Sequence, residues 1–151
     1  MEKKNILKGI LFGAFDFVTL YYLPVYFVNL FRAQGVFLPK FSANILLYLA
    51  TVIAILTFTS SALGGLKGAV VDLVKLAPRL YYTITIFDMI SEIIVKINYE
   101  GQLITMIITI DFGLIFWLTI FGIVLGVLRG ILNKIYEHKK KQEEQKFEFE
   151  E

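Results

Sequence analysis

The chain has 151 residues, of which 57% are hydrophobic and 19% charged, and its mean hydropathy is +0.69. One domain is the norm at this length, and the composition is too apolar for an ordinary water-soluble domain. The formal net charge of +2 does not favour nucleic acid as a partner, and the absence of cysteine excludes disulfides and thiolate metal ligands.

The first apolar run covers residues 6–30. It exceeds the ~20 residues that a helix needs to cross the hydrocarbon core of a bilayer. The charged segment before it resembles the start of a signal peptide, but the run is too long for one and no small-residue cleavage site follows. We therefore predict a retained transmembrane helix, with Tyr21, Tyr22 and Tyr26 near its far interface.

Residues 41–63 form the second predicted span, because their interior is uniformly apolar and two glycines follow. Residues 66–77 differ, since apolar residues recur at i, i+3, i+4 and i+7 while charges such as Asp72 and Lys75 fall on the opposite side. This pattern predicts a short amphipathic helix at the cytoplasmic surface of the membrane, ended by Pro78.

Residues 79–97 form the third predicted span, in which Asp88, Glu92 and Lys96 lie at intervals of four residues. On a helix this interval places the three side chains in one stripe. Such a helix could cross the membrane if the stripe faces protein, or lie flat if the stripe faces water. The order Glu92 then Lys96 also suits an ion pair within the helix.

Residues 98–102 form a predicted turn, and residues 103–128 form the fourth predicted span, which one charge, Asp111, interrupts. Residues 1–130 would thus form the transmembrane domain. Residues 131–151 would form a charged cytoplasmic tail, whose basic first part is typical of an anchor to anionic lipid.

Lysine and arginine are frequent before the first span, between the second and third, and after the fourth. The positive-inside rule places these segments, including both termini, in the cytoplasm. Termini on one side require an even number of crossings, and three crossings would put Lys139, Lys140 and Lys141 outside. The predicted fold class is all-α, a polytopic transmembrane bundle of four helices in the cell membrane.

Two carboxylates fall near the middle of predicted spans, Asp16 in the first and Asp111 in the fourth. A carboxylate within the bilayer is costly, and it commonly marks a proton or ion pathway. Asp88 and Glu92 could extend such a pathway. The structural interpretation is a protonated Asp that hydrogen-bonds to a neighbouring helix, or an Asp that awaits a basic partner from another subunit.

Glycines at intervals of four residues predict close contacts between helices, because glycine lets two helix backbones approach each other. The contacts could join helices of one chain or of several copies. The glycines concerned are Gly9 and Gly13 in the first span and Gly122, Gly126 and Gly130 in the fourth.

Enzyme motifs are missing from the sequence, which has no phosphate-binding loop, no dinucleotide-binding glycine fingerprint and no His-Glu-x-x-His. The one histidine, His138, lies in the charged tail. We therefore predict no catalytic residue, no metal and no cofactor.

The sequence leaves two main hypotheses for function. The first is a small non-catalytic subunit or scaffold of a membrane complex, whose partners are the lipid bilayer and other membrane subunits or further copies of the chain. The alternative is a small oligomeric transporter or proton-conducting protein that uses the intramembrane carboxylates. An enzyme that acts on lipid, with Asp72, Lys75 and Arg79 as its polar groups, has the least support.

Overall fold

The computed structural model describes residues 3–148, and within them the side chains of residues 5–136 and 138–140. The chain is 76% helical and forms four helices. The first helix comprises α1 (Lys3–Phe17), a π-helical segment (Val18–Tyr22) and α2 (Leu23–Ala33), which follow one another without a break. The other three are α3 (Ala43–Leu63), α4 (Gly65–Ile90) and α5 (Gly113–Glu148). The prediction of a helical fold is confirmed.

Three of the four helices are long and apolar enough to cross a membrane, namely Asn5–Ala33, Ala43–Leu63 and Gly113–Lys140. Their outward surfaces are strongly apolar, with Leu114 77% and Trp117 68% exposed. α4 has comparable length but carries several charged residues among its apolar ones. α5 continues from the fourth predicted span into the predicted tail as far as Glu148, and residues 149–151 lie outside the described residues.

The π-helical segment leads directly into a proline of α2. Pro24 has no N–H to donate to the Leu20 carbonyl, four residues earlier. The hydroxyl of Tyr82, on α4, donates to that carbonyl over 2.8 Å instead. A hydrogen bond from a neighbouring helix thus satisfies a carbonyl whose α-helical donor position is occupied by proline.

α4 corrects the predictions of a separate helix over residues 66–77 and of a span that starts at residue 79. Residues 66–77 are not a separate interfacial helix, because the helix continues through Pro78 and ends at Ile90. A proline within a helix removes one backbone hydrogen bond, but packing on both sides can hold the helix together. α4 has such packing, since it contacts α3 on one side and α5 on the other.

A small antiparallel sheet replaces the end of the third predicted span and the start of the fourth. Its strands are β1 (Val36–Phe37), β2 (Glu92–Tyr99) and β3 (Gln102–Thr109), in the order β1-β2-β3. The helical assignments of residues 92–97 and 103–109 are therefore wrong, and Asp88, Glu92 and Lys96 do not form a helical stripe. Isoleucine, valine and threonine dominate both strands, and these β-branched residues favour a sheet.

The turn between β2 and β3 has two residues, as the pairing of Tyr99 with Gln102 requires. Glu100 and Gly101 both have positive φ, 49° and 80°. Two such residues in succession form the type I′ turn, whose twist matches that of a hairpin. The turn predicted at residues 98–102 is thus present, but it joins two strands instead of two helices.

The main helix contacts join the first helix to α3, α3 to α4, and α4 to α5, so the helices stand in a row with α3 and α4 inside. Leu46, Ala50 and Ile53 of α3 are fully buried, at 0% exposure. The sheet lies at the end where α2 joins α3 and α4 joins α5, which we call the hairpin end. The opposite end, which carries the N-terminus and the α3–α4 turn, is the terminal end.

Candidate functional site

Charged side chains meet inside the molecule where α3, α4 and α5 come together. Asp72 and Lys75 of α4 are buried, each at 8% exposure. Asp72 Oδ1 lies 3.0 Å from Lys75 Nζ, and its Oδ2 lies 2.6 Å from Lys134 Nζ of α5. The hydroxyl of Ser60, on α3, donates to Asp72 Oδ1 over 2.6 Å. We call these four residues the Asp72 cluster.

One glycine allows the helices around the Asp72 cluster to come so close. A Cβ at Gly68 would lie 2.5 Å from the Ser60 carbonyl oxygen and 3.2 Å from Lys134 Nζ. The connection before it is as short as possible, since only Gly64 separates α3 from α4. Gly64 and Gly65 have φ values of +59° and +47°, which glycine adopts readily.

A second ion pair lies farther along α4. Arg79 donates from Nη2 to Asp16 Oδ2 of α1 over 3.0 Å. Thr57 of α3 donates to the same oxygen over 2.5 Å. Asp16 is therefore held by two neighbouring helices of its own chain. One interpretation of the sequence expected a basic partner from another subunit. The structure instead pairs Asp16 with Arg79 of the same chain.

A cavity of about 130 Å³ lies between α4 and α5, beside both ion-paired groups. Charged side chains of α4 form one wall, and small or apolar residues of α5 form the other. The lining residues are Asp72, Lys75, Arg79, Gly126, Val127 and Gly130.

A larger groove of about 810 Å³ opens on the outer surface between α3 and α4. Leu49, Val52, Leu56 and Val74 are among its lining residues, and no charged side chain of the described chain lines it. The groove therefore offers a mostly apolar surface, whose polar lining residues are Asn44, Tyr48 and Tyr81.

Asp111 does not lie within a helix, which corrects its predicted position in the middle of the fourth span. It precedes α5, and its Oδ1 accepts a hydrogen bond from the Gly113 N–H over 2.8 Å. A carboxylate at this position satisfies a free N–H of the first helical turn and favours the start of the helix.

Asp88 and Glu92 also lie at the hairpin end. Asp88 is exposed and pairs with Lys40 over 3.3 Å, while Glu92 begins β2 opposite Thr109. Asp16, by contrast, lies between helices, where its side chain is 15% exposed and that of its partner Arg79 is 34% exposed. The structure thus places one of the four predicted pathway carboxylates inside the bundle and the other three at its hairpin end.

The predicted packing glycines fall into two groups. A Cβ at Gly9 would lie 2.9 Å from the Phe58 carbonyl oxygen, and one at Gly13 would lie 3.0 Å from the Ala54 carbonyl oxygen, so α1 lies directly against α3 there. A Cβ at Gly122, Gly126 or Gly130 would meet no atom of the described residues within 4 Å, apart from the local helix backbone. The last two glycines border the cavity instead.

Sequence analysis missed most of the Asp72 cluster. It assigned Asp72 and Lys75 to the solvent-exposed side of a surface helix, although both are buried. It placed Lys134 in the basic first part of the tail, although Lys134 pairs with Asp72. Ser60 received no role. The available signal was the unusual density of charge between two strongly apolar segments, which calls for internal partners if the segment is enclosed.

The chemistry of the site is that of paired charges. Among the described side chains, no buried nitrogen or oxygen lacks a hydrogen-bond partner. No group of three or more histidine, cysteine, aspartate or glutamate residues in the described part of the chain is arranged to hold a metal ion. Searches for relatives found no matching protein-family model, curated protein or solved structure.

Proposed function

We propose that the chain is an integral membrane protein of four crossings, formed by the three apolar helices and α4, with both termini in the cytoplasm. Support for the fourth crossing comes from the position of α4 between α3 and α5 and from the pairing of its interior charges. Paired charges that face protein can be accommodated within a bilayer.

The distribution of basic residues supports this orientation. Lys8, Lys67, Lys134 and Lys139 belong to helix segments at or near the terminal end, and Arg32, Lys40 and Lys96 lie toward the hairpin end. Lys3, Lys4, Lys140 and Lys141 add to the terminal end. The positive-inside rule then assigns the terminal end to the cytoplasm.

Within the membrane, the chain acts as a non-catalytic subunit that joins another protein through β3. The observation that carries this proposal is the surface of β3. All eight of its residues are exposed, none is charged, and Leu103 and Ile107 are 66% and 64% exposed. A strand whose exposed surface is uncharged and mostly apolar is a poor surface for water and an expected contact for protein.

The free edge of β3 strengthens the argument. In the described sheet, β3 pairs with β2 on one side only. The two-residue turn makes Tyr99 and Gln102 a hydrogen-bonded pair, so alternation along the ladder directs the backbone groups of Leu103, Thr105 and Ile107 outward. On β2 the same alternation is visible, because the N–H of Lys96 donates to Gly35 over 2.9 Å on the β1 side.

An unpaired strand edge is costly in hydrocarbon, since each lone backbone group loses several kcal/mol. Water would satisfy the edge but not the apolar faces. A partner that adds an extended, uncharged segment satisfies both, in the manner of β-strand addition. The partner is therefore a protein with such a segment at the same level of the membrane.

A proline in β3 tests this proposal. Ile107→Pro removes an outward N–H and leaves the ladder to β2 intact, whereas Ile107→Thr keeps the N–H and serves as the matched control. The protein would be solubilised in mild detergent from the cells that make it, and complexes would be sized by native electrophoresis. We expect a discrete complex larger than the single chain, retained with Ile107→Thr and lost with Ile107→Pro.

A single-chain particle in the unmodified protein, or a complex unchanged by Ile107→Pro, would contradict the proposal. Co-expression of two differently tagged copies adds a further readout. If the complex contains both tags and no other protein, β3 joins copies of this chain and the proposed foreign partner is wrong.

A further inference from the structure

We propose that the cavity between α4 and α5 binds a small monovalent inorganic anion such as chloride. The cavity of about 130 Å³ has the side chains of Lys75 and Arg79 in its wall. This inference goes beyond the proposed subunit function, because it assigns a ligand to the interior of the molecule and does not depend on a partner at β3.

The first argument is charge. The two ion-paired groups contain the carboxylates of Asp16 and Asp72. Against them stand three cations, Lys75, Arg79 and Lys134. One positive charge therefore exceeds the described carboxylates in a partly enclosed region, where the five charged side chains are 10–34% exposed and an uncompensated charge is costly to the extent that it is buried. A monovalent anion in the cavity brings the sum to zero, whereas a divalent anion would reverse the excess.

The second argument is the supply of hydrogen-bond donors. A lysine ammonium has three N–H donors and an arginine guanidinium has five. Among the described residues, Lys75 is paired with Asp72 and Arg79 donates to Asp16. Both cations lie four residues apart on α4 and line the same cavity. Their remaining donors can therefore converge on one acceptor there, as small anions require.

The third argument is size. Gly126 and Gly130, four residues apart on α5, form the wall opposite the cations. No described atom beyond the local helix backbone lies within 4 Å of where their Cβ atoms would be. The resulting volume corresponds to about four water molecules at ~30 Å³ each, which suits a small ion with part of its hydration shell.

The test measures chloride binding to the purified full-length chain in detergent. Thermal unfolding would be followed at constant ionic strength while chloride replaces gluconate, which is too large for the cavity. We expect the midpoint to rise by at least about 2 °C and to saturate, since a ligand that binds the folded state stabilises it by mass action. The ³⁵Cl NMR line should broaden with the same concentration dependence.

A pair of glycine variants distinguishes chloride binding in the cavity from chloride binding elsewhere on the protein. Gly126→Leu would fill the cavity, and Gly122→Leu places the same side chain one turn away, at another open position outside it. We expect Gly126→Leu to abolish both the chloride-dependent rise and the line broadening, and Gly122→Leu to retain them.

Lys75→Gln provides an independent readout if Gly126→Leu does not fold. It removes the excess positive charge without filling the cavity, so chloride affinity should fall at least tenfold. Equal stabilisation by gluconate and chloride, or full chloride binding in Gly126→Leu or Lys75→Gln, would overturn the proposal. Added phosphatidylglycerol should leave the NMR line broadening unchanged. If the lipid abolishes the broadening, the cavity binds a lipid headgroup and the chloride proposal is wrong.

Discussion

At the scale of single residues, Gly68 controls how closely two helices approach. Because Gly68 has no side chain, the Ser60 carbonyl oxygen can approach its backbone closely. A Cβ at Gly68 would lie only 2.5 Å from that oxygen. The same approach brings the Ser60 hydroxyl within 2.6 Å of Asp72. The position of an interior carboxylate thus depends on a residue that has no chemistry of its own.

Gly68→Ala should therefore destabilise the fold. The methyl group would meet a backbone oxygen, which cannot rotate away, so α3 and α4 must separate, at a cost of about 1–3 kcal/mol. Gly122→Ala is the matched control, because its methyl group meets open space and alanine favours a helix by about 1 kcal/mol. Thermal unfolding in detergent compares the two. A Gly68→Ala protein as stable as Gly122→Ala would show that the close approach is not required.

Asp16 illustrates what sequence analysis can find at this scale. Its position in an apolar run marked it as a residue that needs a partner, and the structure supplies Arg79 and Thr57. The partners could not be deduced, because periodicity describes one helix at a time and carries no information about pairs 63 residues apart. Asp72 was misplaced for the same reason, since a charged helix side looks alike whether it meets water or opposite charges.

At the scale of secondary structure elements, α4 supplies a hydrogen bond to the irregular part of the first helix. Pro24 leaves the Leu20 carbonyl without its usual donor, and Tyr82 of α4 supplies one. The apolar surroundings make this hydrogen bond worth more than an exposed one. Its acceptor, Leu20, lies within the π-helical segment, so the bond fixes α4 against the most irregular part of the first helix.

The cost of Tyr82→Phe should consequently depend on residue 24. In the natural background the Leu20 carbonyl loses its donor, and we expect a loss of about 1–2 kcal/mol. In a Pro24→Ala background the new N–H can donate to that carbonyl, and the loss should shrink by at least half. Chemical unfolding of the four proteins of this double-mutant cycle measures the difference. Additive effects of the two substitutions would contradict the assignment.

The hairpin shows why some elements could not be predicted. Residues 92–109 are almost as apolar as a membrane span, and a hydropathy window of ~19 residues averages over two strands and their turn. The β-branched residues and the Glu100–Gly101 turn were local signals of a sheet. α3 was predicted nearly to the residue, because two glycines mark its end and no alternative structure competes there.

At the scale of the whole molecule, the arrangement of helices makes the proposed membrane topology testable. Successive helices run in opposite directions, so the hairpin and the far part of α5 lie at opposite ends. The four-crossing proposal depends on α4, whose charges exclude it from the three helices identified by apolarity alone.

Single cysteines test this topology without background labelling of native thiols, because the natural chain has no cysteine. Tyr99→Cys places a thiol beside the hairpin turn, and Lys139→Cys places one on the far part of α5. In intact cells a membrane-impermeant maleimide should label Tyr99→Cys alone, and Lys139→Cys should react only after permeabilisation. Equal labelling of both variants in intact cells would rule out an even number of crossings with cytoplasmic termini.

The short connection at Gly64 has a consequence for how the protein is made. Since only Gly64 separates α3 from α4, the proposed topology requires the two helices to enter the membrane as one helical hairpin. Ser60 and Lys75 can then shield Asp72 before α5 exists, and Arg79 arrives opposite an Asp16 synthesised earlier. Asp72 thus meets Ser60 and Lys75 close to the moment of its own synthesis, whereas Asp16 waits 63 residues for Arg79. The nascent chain is electrically balanced in its interior until Lys134 emerges last.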